Sequence, residues 1–280
     1  MKKWLSLLLA LLCVWSVTLA YALPIDFSPA PAANPSGYVS PTEYQDDSLH
    51  VWLETIQQDD SNYHVAHITV SDPSQLRTAL AGEPGSKTRA SVQQIAQGAN
   101  AVIAINGDYY AYRGKGYIVR QGQVLRKSGQ TELDMLLIDS SGDFHPIRKV
   151  TTAKVKEALK SCEVVNCFVF GPVLVMDGEV QTVYNSYGFA PQDRSPRTAI
   201  GQIGPLEYVM VVVDGRQNDS RGVTHKQLAA FMGQLGCRTA FNLDGGGSSA
   251  LVFGGEVYNS LSDETARAIS DIVYVGTAIE

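Results

Sequence analysis

The sequence predicts a single sheet-rich domain of α+β or mixed α/β class, with a few packing helices and at least one parallel helix-crossover unit. Three observations carry this expectation. Short β-rich runs recur with glycines between them, only three stretches have helical periodicity, and the best-bounded helix links two apolar runs.

In chain order, residues 1–22 read as a secretory signal: Lys2 and Lys3 give a positive start, residues 5–19 are apolar, and Ala20-Tyr21-Ala22 makes an A-x-A cleavage site. Left uncleaved, the same stretch is nearly long enough to span a bilayer, so membrane association is expected through this segment alone. Either way the chain is expected to be exported, to the periplasm or the extracellular space. Residues 23–48 hold five prolines among small and polar residues and are expected to form a flexible linker. Residues 49–280 then form the folded domain. Its strand-like runs are 50–55, 63–70, 101–105, 117–119, 134–138, 168–175, 209–213, 239–243, 250–253 and 271–275, and its helical ones are 86–97, 152–159 and 226–235. The last helix has Thr224 as N-cap, Leu228, Ala229, Phe231, Met232 and Leu235 on one face, and Gly236 as terminator. Joining runs 209–213 and 239–243, it predicts a parallel pair with a right-handed crossover. The shared strand edge would bring Asp214-Gly215-Arg216 beside Asn242 and Asp244, where open sheets bind ligands.

With Lys2 and Lys3 set aside, 20 basic residues face 28 acidic ones. Nucleic acid is therefore not an expected partner, because its binding usually requires a basic surface. Anionic ligands need local arginines and backbone amides instead. Cys162 and Cys167 are close enough in sequence to pair, although two cysteines on one extended strand point poorly at each other; Cys237 reads as a buried apolar residue. His64 and His67 fall on opposite faces of a strand, which argues against a zinc pair there.

The stretch 240–251, AFNLDGGGSSAL, runs from an apolar strand into Asp244, three glycines and two serines. Three glycines in a row are costly to order and suit a turn whose amides approach a ligand closely; a simple hairpin turn or bulge capped by Asp244 is the plainer alternative. A second turn, Asn106-Gly107-Asp108, also follows an apolar run, and the two suggest one shared site. Helix, glycine and strand precede both turns at a constant offset of 138 residues.

Five stretches in this order resemble the phosphodiester glycosidase family: Asn106-Gly107-Asp108-Tyr109-Tyr110, Gly171-Pro172-Val173-Leu174-Val175 with Asp177-Gly178, Pro196-Arg197-Thr198-Ala199-Ile200-Gly201, Asp214-Gly215-Arg216, and Asn242-Leu243-Asp244-Gly245-Gly246-Gly247-Ser248-Ser249. The last run together with Pro-Arg-Thr is the specific part of the resemblance, which covers about residues 100–255. It implies an exported hydrolase that cleaves the glycosidic bond of a sugar 1-phosphodiester, either N-acetylglucosamine-like or derived from exopolysaccharide, with a glycosyl phosphodiester or phosphoglycan as its partner. Two other readings are open: a non-catalytic module binding cell-envelope glycan, and a metal-dependent phosphodiesterase.

A phosphate monoester leaves as a stable anion, so the chemistry needs cations for the phosphate and a carboxylate at the anomeric carbon. Asp244 and Asp214 are the first candidates for that carboxylate and Asp108 the third; turn capping is the alternative for each, and the surrounding motif favours Asp244 most. Arg197 and Arg216 suit phosphate oxygens through their forked guanidinium groups, with structural ion pairing the alternative for Arg197. Gly245, Gly246, Gly247, Ser248 and Ser249 could complete the cradle, and Asn106, Gly107, Thr198 and Asn242 could orient substrate. Tyr109 and Tyr110 could stack on a sugar ring or belong to the core rim. No cofactor is required by this reading; a calcium ion at Asp244 and neighbouring backbone oxygens is left open.

Overall fold

Three apolar faces, each closed by one helix, organise the chain into three sheets around a common core. The structure is a computed structural model describing residues 22–128, 131–263 and 266–279. The expected signal segment lies outside these residues except for Ala22. In chain order the strands are β1 (Tyr38–Ser40), β2 (Glu43–Gln45), β3 (Leu49–Gln58), β4 (Ser61–Val70), β5 (Leu76–Leu80) and, after helix α1 (Val92–Gly98), β6 (Ile103–Asn106), β7 (Gly116–Arg120), β8 (Gln123–Ser128), β9 (Asp134–Asp139) and β10 (Phe144–Ile147). Helix α2 (Thr152–Ser161) leads to β11 (Val164–Phe170), β12 (Val173–Met176), β13 (Glu179–Val180), β14 (Arg197–Gly204) and β15 (Glu207–Val213). Helix α3 (His225–Gln234) precedes β16 (Thr239–Asn242), β17 (Leu251–Phe253), β18 (Glu256–Val257) and β19 (Asp271–Val275).

A nine-stranded sheet has the order β1-β2-β3-β4-β15-β14-β16-β12-β13, and two five-stranded sheets have the orders β10-β9-β11-β7-β8 and β18-β17-β6-β19-β5. One buried cluster holds side chains of all three, among them Val51, Met210 and Phe241, Leu136 and Phe168, and Ile105 and Val273. On the far face of the nine-stranded sheet, Phe231 and Met232 of α3 cover Val209, Val211 and Val213. Helices α1 and α2 close the outer faces of the two smaller sheets in the same way.

Every strand pairing among the described residues is antiparallel, which corrects the expected parallel crossover unit. Strands β15 and β16 do point the same way, but only because β14 lies between them and runs antiparallel to both. The physical reason for the misreading is burial: β15 is covered on both faces, which produces the continuous apolar run that parallel strands usually carry. The run 168–175 likewise holds two strands in different sheets, broken at Gly171, whose φ is +76°.

The expected linker 23–48 is also corrected. It carries β1 and β2, Tyr44 is fully buried, and Ala30 packs beneath α1. Helix α1 starts later than expected because Ser91 and Gln94 form a capping box and Ala90 bridges to Ile269. Helix α3 is capped by Thr224 with Gln227, and Gly236 adopts φ +79° after its end. Cys162, Cys167 and Cys237 are all free thiols.

Candidate functional site

The two glycine turns meet. Strand β6 ends at Asn106 and β16 at Asn242, in different sheets, yet the Asp244 amide donates to the Gly107 carbonyl at 3.2 Å and Asn106 Nδ2 donates to the Asp244 carbonyl at 2.7 Å. Asn106 Oδ1 accepts from Thr198 Oγ1 at 2.8 Å and from the Ala250 amide at 3.3 Å, so one buried asparagine clips both turns to β14. The sheet register completes the cluster: Arg197 starts β14 opposite Val213, immediately before Asp214, and Ala199 lies opposite Asn242.

The glycines are required by close approach. A side chain on Gly107 would strike the Asp271 carboxylate, one on Gly245 would come within 2.9 Å of the Pro196 carbonyl, and one on Gly247 would strike Asp263 and Arg267. Gly246 has φ +62° and faces the Arg216 guanidinium, whose Nη2 would lie 3.1 Å from an added Cβ. Arg216 is exposed and makes no hydrogen bond or ion pair among the described residues, which leaves its charge available beside the turn.

The three candidate carboxylates separate by their surroundings. Asp108 is fully buried, with Oδ1 accepting from Arg120 at 2.6 Å and Oδ2 from the Val169 amide at 2.6 Å. Arg120 also holds Asp271 at 2.8 Å, and burial pushes Asp271 up to about 6. Asp108 is therefore a buried structural anchor and not a group facing a sugar, a correction to its candidate role. Asp214 is 1 % exposed; Oδ2 accepts from His64 Nε2 at 2.7 Å, while Oδ1 accepts from Asn259 Nδ2 at 3.0 Å and the Ser260 amide at 3.1 Å. His64 Nδ1 in turn meets Thr55 Oγ1 at 3.0 Å. Asp244 is half-buried, and its Oδ1 accepts only from the Gly245 amide at 3.0 Å. Burial raises its pKa, opposed by the nearby Ser248 hydroxyl, the Gly245 amide, Arg113 and Arg267.

Arg197 is corrected as well. Its guanidinium donates to the carbonyls of Val223, Ala190 and Asp193 at 3.1, 3.1 and 2.8 Å, so it builds the loop around residues 189–193 instead of facing phosphate. Burial lowers its pKa to about 10, Asp193 opposes that, and Arg216 adds to it. Tyr109 stacks on Tyr112 at 4.7 Å, and Tyr110 is buried against Arg120, so Tyr110 belongs to the core rim.

Three hydroxyl or amide oxygens at this end of the sheet, Ser248 Oγ, Ser249 Oγ and Asn242 Oδ1, are buried without a hydrogen-bond partner. Buried polar atoms rarely go unpaired, and orphans gathered at one turn mark where the oxygens of a ligand fit. Sequence reasoning missed Arg113, which lies between the Phe170 and Phe189 rings at 4.2 and 4.5 Å and raises the anionic stability of Asp244. It also missed Arg267, paired with Asp263 at 3.3 Å over Gly247. No local pattern in the sequence marks either arginine. His64 was set aside as half of a zinc pair, although a histidine can serve a carboxylate instead.

Arg113, Arg216 and Arg267 around the turn make a site for an anion. A calcium ion does not fit this donor set, since it takes six to eight oxygens and would sit among guanidinium groups. A cavity of about 300 Å³ is lined by Asp134, Pro172, Tyr184 and Tyr187.

A family model described as phosphodiester glycosidase matches residues 99–276. An uncharacterized SPbeta prophage-derived protein, YomE of Bacillus subtilis strain 168, is 30% identical over 198 residues, which is 68% of this chain and 30% of that protein. The N-acetylglucosamine-1-phosphodiester alpha-N-acetylglucosaminidase of Mus musculus is 28% identical over 227 residues, 70% of this chain and 41% of the mouse protein. The chain thus spans well under half the length of these curated relatives. The zebrafish enzyme of the same name, whose catalytic domain was solved auto-inhibited by its pro-peptide, superposes with a TM-score of 0.66 at 23% identity, covering 88% of this chain and 86% of that one. At that identity the likeness concerns the fold.

Proposed function

Because the chain belongs to the phosphodiester glycosidase family, we propose that it hydrolyses the glycosidic bond of a sugar 1-phosphodiester at the turn carrying Asp244. One observation carries this reading: a half-buried carboxylate with a raised pKa stands beside the Ser248 and Ser249 hydroxyls and arginines, two of which, Arg113 and Arg216, carry no carboxylate ion pair among the described residues.

Arg216 and Arg113 take the phosphate oxygens, with the Ser248 and Ser249 hydroxyls completing the cradle. The guanidinium charges stabilise the phosphate as it departs, so no proton donor is needed there. Asp244, made more basic by burial, activates water or attacks the anomeric carbon. Asp214 already has both oxygens occupied and acts as a positioning residue through His64 and Asn259; Asn259 also reaches the Ser249 carbonyl at 3.5 Å. The substrate class is an N-acetylglucosamine-like or exopolysaccharide-derived phosphodiester, met outside the cytoplasm after export. No nucleic acid and no cofactor enter the reading, and activity is expected to survive EDTA.

The test is hydrolysis of an N-acetylglucosamine 1-phosphodiester in isotopically labelled water. Label in the released sugar supports cleavage at the anomeric carbon. Label in phosphate overturns it in favour of phosphodiesterase chemistry, and glycan binding with no release from a panel of glycosyl phosphodiesters overturns it in favour of a binding module.

A further inference from the structure

Away from Asp244, three donors of different chemistry converge where β9, β10 and α2 end. Asp139 closes β9, His145 sits on β10 opposite Leu137, and Cys162 caps the C-terminal end of α2. Their ligand atoms all lie within 4.8 Å of one another, with His145 Nε2 and Asp139 Oδ2 2.7 Å apart. The backbone holds them there: the Ser140 amide donates to the Glu163 carbonyl at 2.9 Å, tying the β9–β10 turn to the segment after Cys162. The amides of Ser141 and Asp143 donate to Asp139 Oδ1 at 2.9 and 3.0 Å, which fixes the carboxylate and leaves Oδ2 facing His145.

We propose that Asp139, His145 and Cys162 bind a zinc ion, with water as the fourth ligand. Thiolate, imidazole and carboxylate are the donors zinc takes, at about 2.0 to 2.3 Å, so a tetrahedral site needs its donors roughly 3.3 to 3.7 Å apart. The donor atoms, with one pair at 2.7 Å and all within 4.8 Å, bracket this spacing. The thiol makes a weak contact to the Ala158 carbonyl at 3.5 Å, which a metal readily replaces, and the Ser161 hydroxyl lies nearby. The imidazole is 44 % exposed, leaving an entry path and room for water. A thiol donor excludes calcium and magnesium, which prefer oxygen. Binding deprotonates Cys162, and that proton leaves to solvent. The ion would sit at the opposite end of β9 from Asp134, about 17 Å away by strand rise, and Asp134 is the end that reaches Val173 and the Asp244 side of the sheet. The site is therefore independent of the proposed hydrolysis.

The experiment is a cobalt(II) titration of the full chain after chelator treatment. One equivalent is expected to give a near-ultraviolet thiolate-to-cobalt charge-transfer band with intense tetrahedral visible absorption, both displaced by zinc. Cys162→Ser is expected to abolish the charge-transfer band, and His145→Ala to weaken zinc affinity at least tenfold in competition with a chromophoric chelator. Both positions are partly exposed, so circular dichroism is expected to stay native. Absence of cobalt binding at micromolar concentrations, binding without a thiolate band, or a band that persists in Cys162→Ser overturns the proposal.

Discussion

Asp244 differs from Asp108 and Asp214 in its surroundings: it is half-buried, its carboxylate accepts from the Gly245 amide with the Ser248 hydroxyl nearby, and among the described residues no histidine or arginine bonds to it. Asp108 answers to Arg120 and Val169, and Asp214 to His64, Asn259 and Ser260. If Asp244 acts as base or nucleophile, Asp244→Asn lowers kcat/KM by about 10² to 10⁴ while leaving the fold intact. The reactive form is the carboxylate, and burial raises its pKa, so activity is lost as pH falls through a value above the ordinary aspartate range of about 4. A pH–rate profile whose acid limb lies at or below that range removes Asp244 from this role. His225 supplies a second residue-scale expectation. It is fully buried at the start of α3 with both ring nitrogens unpartnered among the described residues, and burial, then the charge of Arg197, lowers its pKa to about 3. The unfolded chain binds a proton at His225 below about pH 6.5 and the folded one does not until about 3. Its contribution to stability is therefore complete above pH 6.5 and lost progressively as pH falls toward 3, at about 1.4 kcal/mol per unit. Urea unfolding at pH 6.5 and pH 5 is expected to differ by roughly 2 kcal/mol more in the wild type than in His225→Leu; equal slopes would show that the imidazole is already paired or hydrated in the fold.

Between elements, Arg120 is the joint that sets the position of the site. It leaves β7, pairs with Asp108 beyond β6 and with Asp271 at the start of β19, and lies 4.2 Å from the Phe168 ring of β11, so it ties the two five-stranded sheets together. Gly107 donates to the Asp271 carbonyl at 2.9 Å and accepts from the Asp244 amide, which carries this joint to the reactive turn. Replacing Arg120 by Leu leaves two buried carboxylates without a cation and is expected to cost about 3 to 5 kcal/mol in urea unfolding, with loss of activity following from the displaced turn. A loss below about 1 kcal/mol means the carboxylates found solvent, contrary to their burial. None of this was legible locally: Asn106-Gly107-Asp108 reads as a turn with a spare carboxylate because Arg120 and Asp271 lie 12 and 163 residues away. What depends on near neighbours was legible, such as the Thr224 cap, the α3 face and Gly236, while the meeting of the two glycine turns, 138 residues apart, was legible only from their shared composition after an apolar run. Strand direction was not, since β14 begins after Pro196 and contains Gly201 and Gly204, so the strand that separates β15 from β16 lacks a strong apolar signature. Arg113 and Arg267 escaped for the same reason as Arg120, being placed by tertiary packing alone.

At the scale of the whole molecule, one shared core joins three sheets, and the segment before β3 helps to close it. The reading of residues 23–48 as a linker rested on proline content, yet prolines also suit extended segments that lie across a surface and bond through their carbonyls. Arg77 of β5 is 1 % exposed, and its guanidinium donates to the carbonyls of Pro24, Asp26 and Ser28 at 2.8, 3.0 and 3.1 Å, as well as to the Tyr274 hydroxyl at 2.9 Å. The Ala30 amide donates to the Ala99 carbonyl at 3.2 Å, and Asn100 Nδ2 returns a bond to the Ala30 carbonyl at 2.8 Å, seating the segment against the end of α1. A chain starting at Gly37 keeps β1 and β2 but strips three acceptors from a buried guanidinium and uncovers the apolar surface beneath Ala30. Hydrogen bonds to a charged group are worth about 1.5 to 3 kcal/mol each, and water entering the vacated groove recovers part of that. The expected net loss is at least about 3 kcal/mol, seen as a lower urea midpoint than that of a chain starting at Leu23. Coincident midpoints for the two chains would return residues 23–36 to the role of a loose lead and leave Arg77 to be satisfied by solvent.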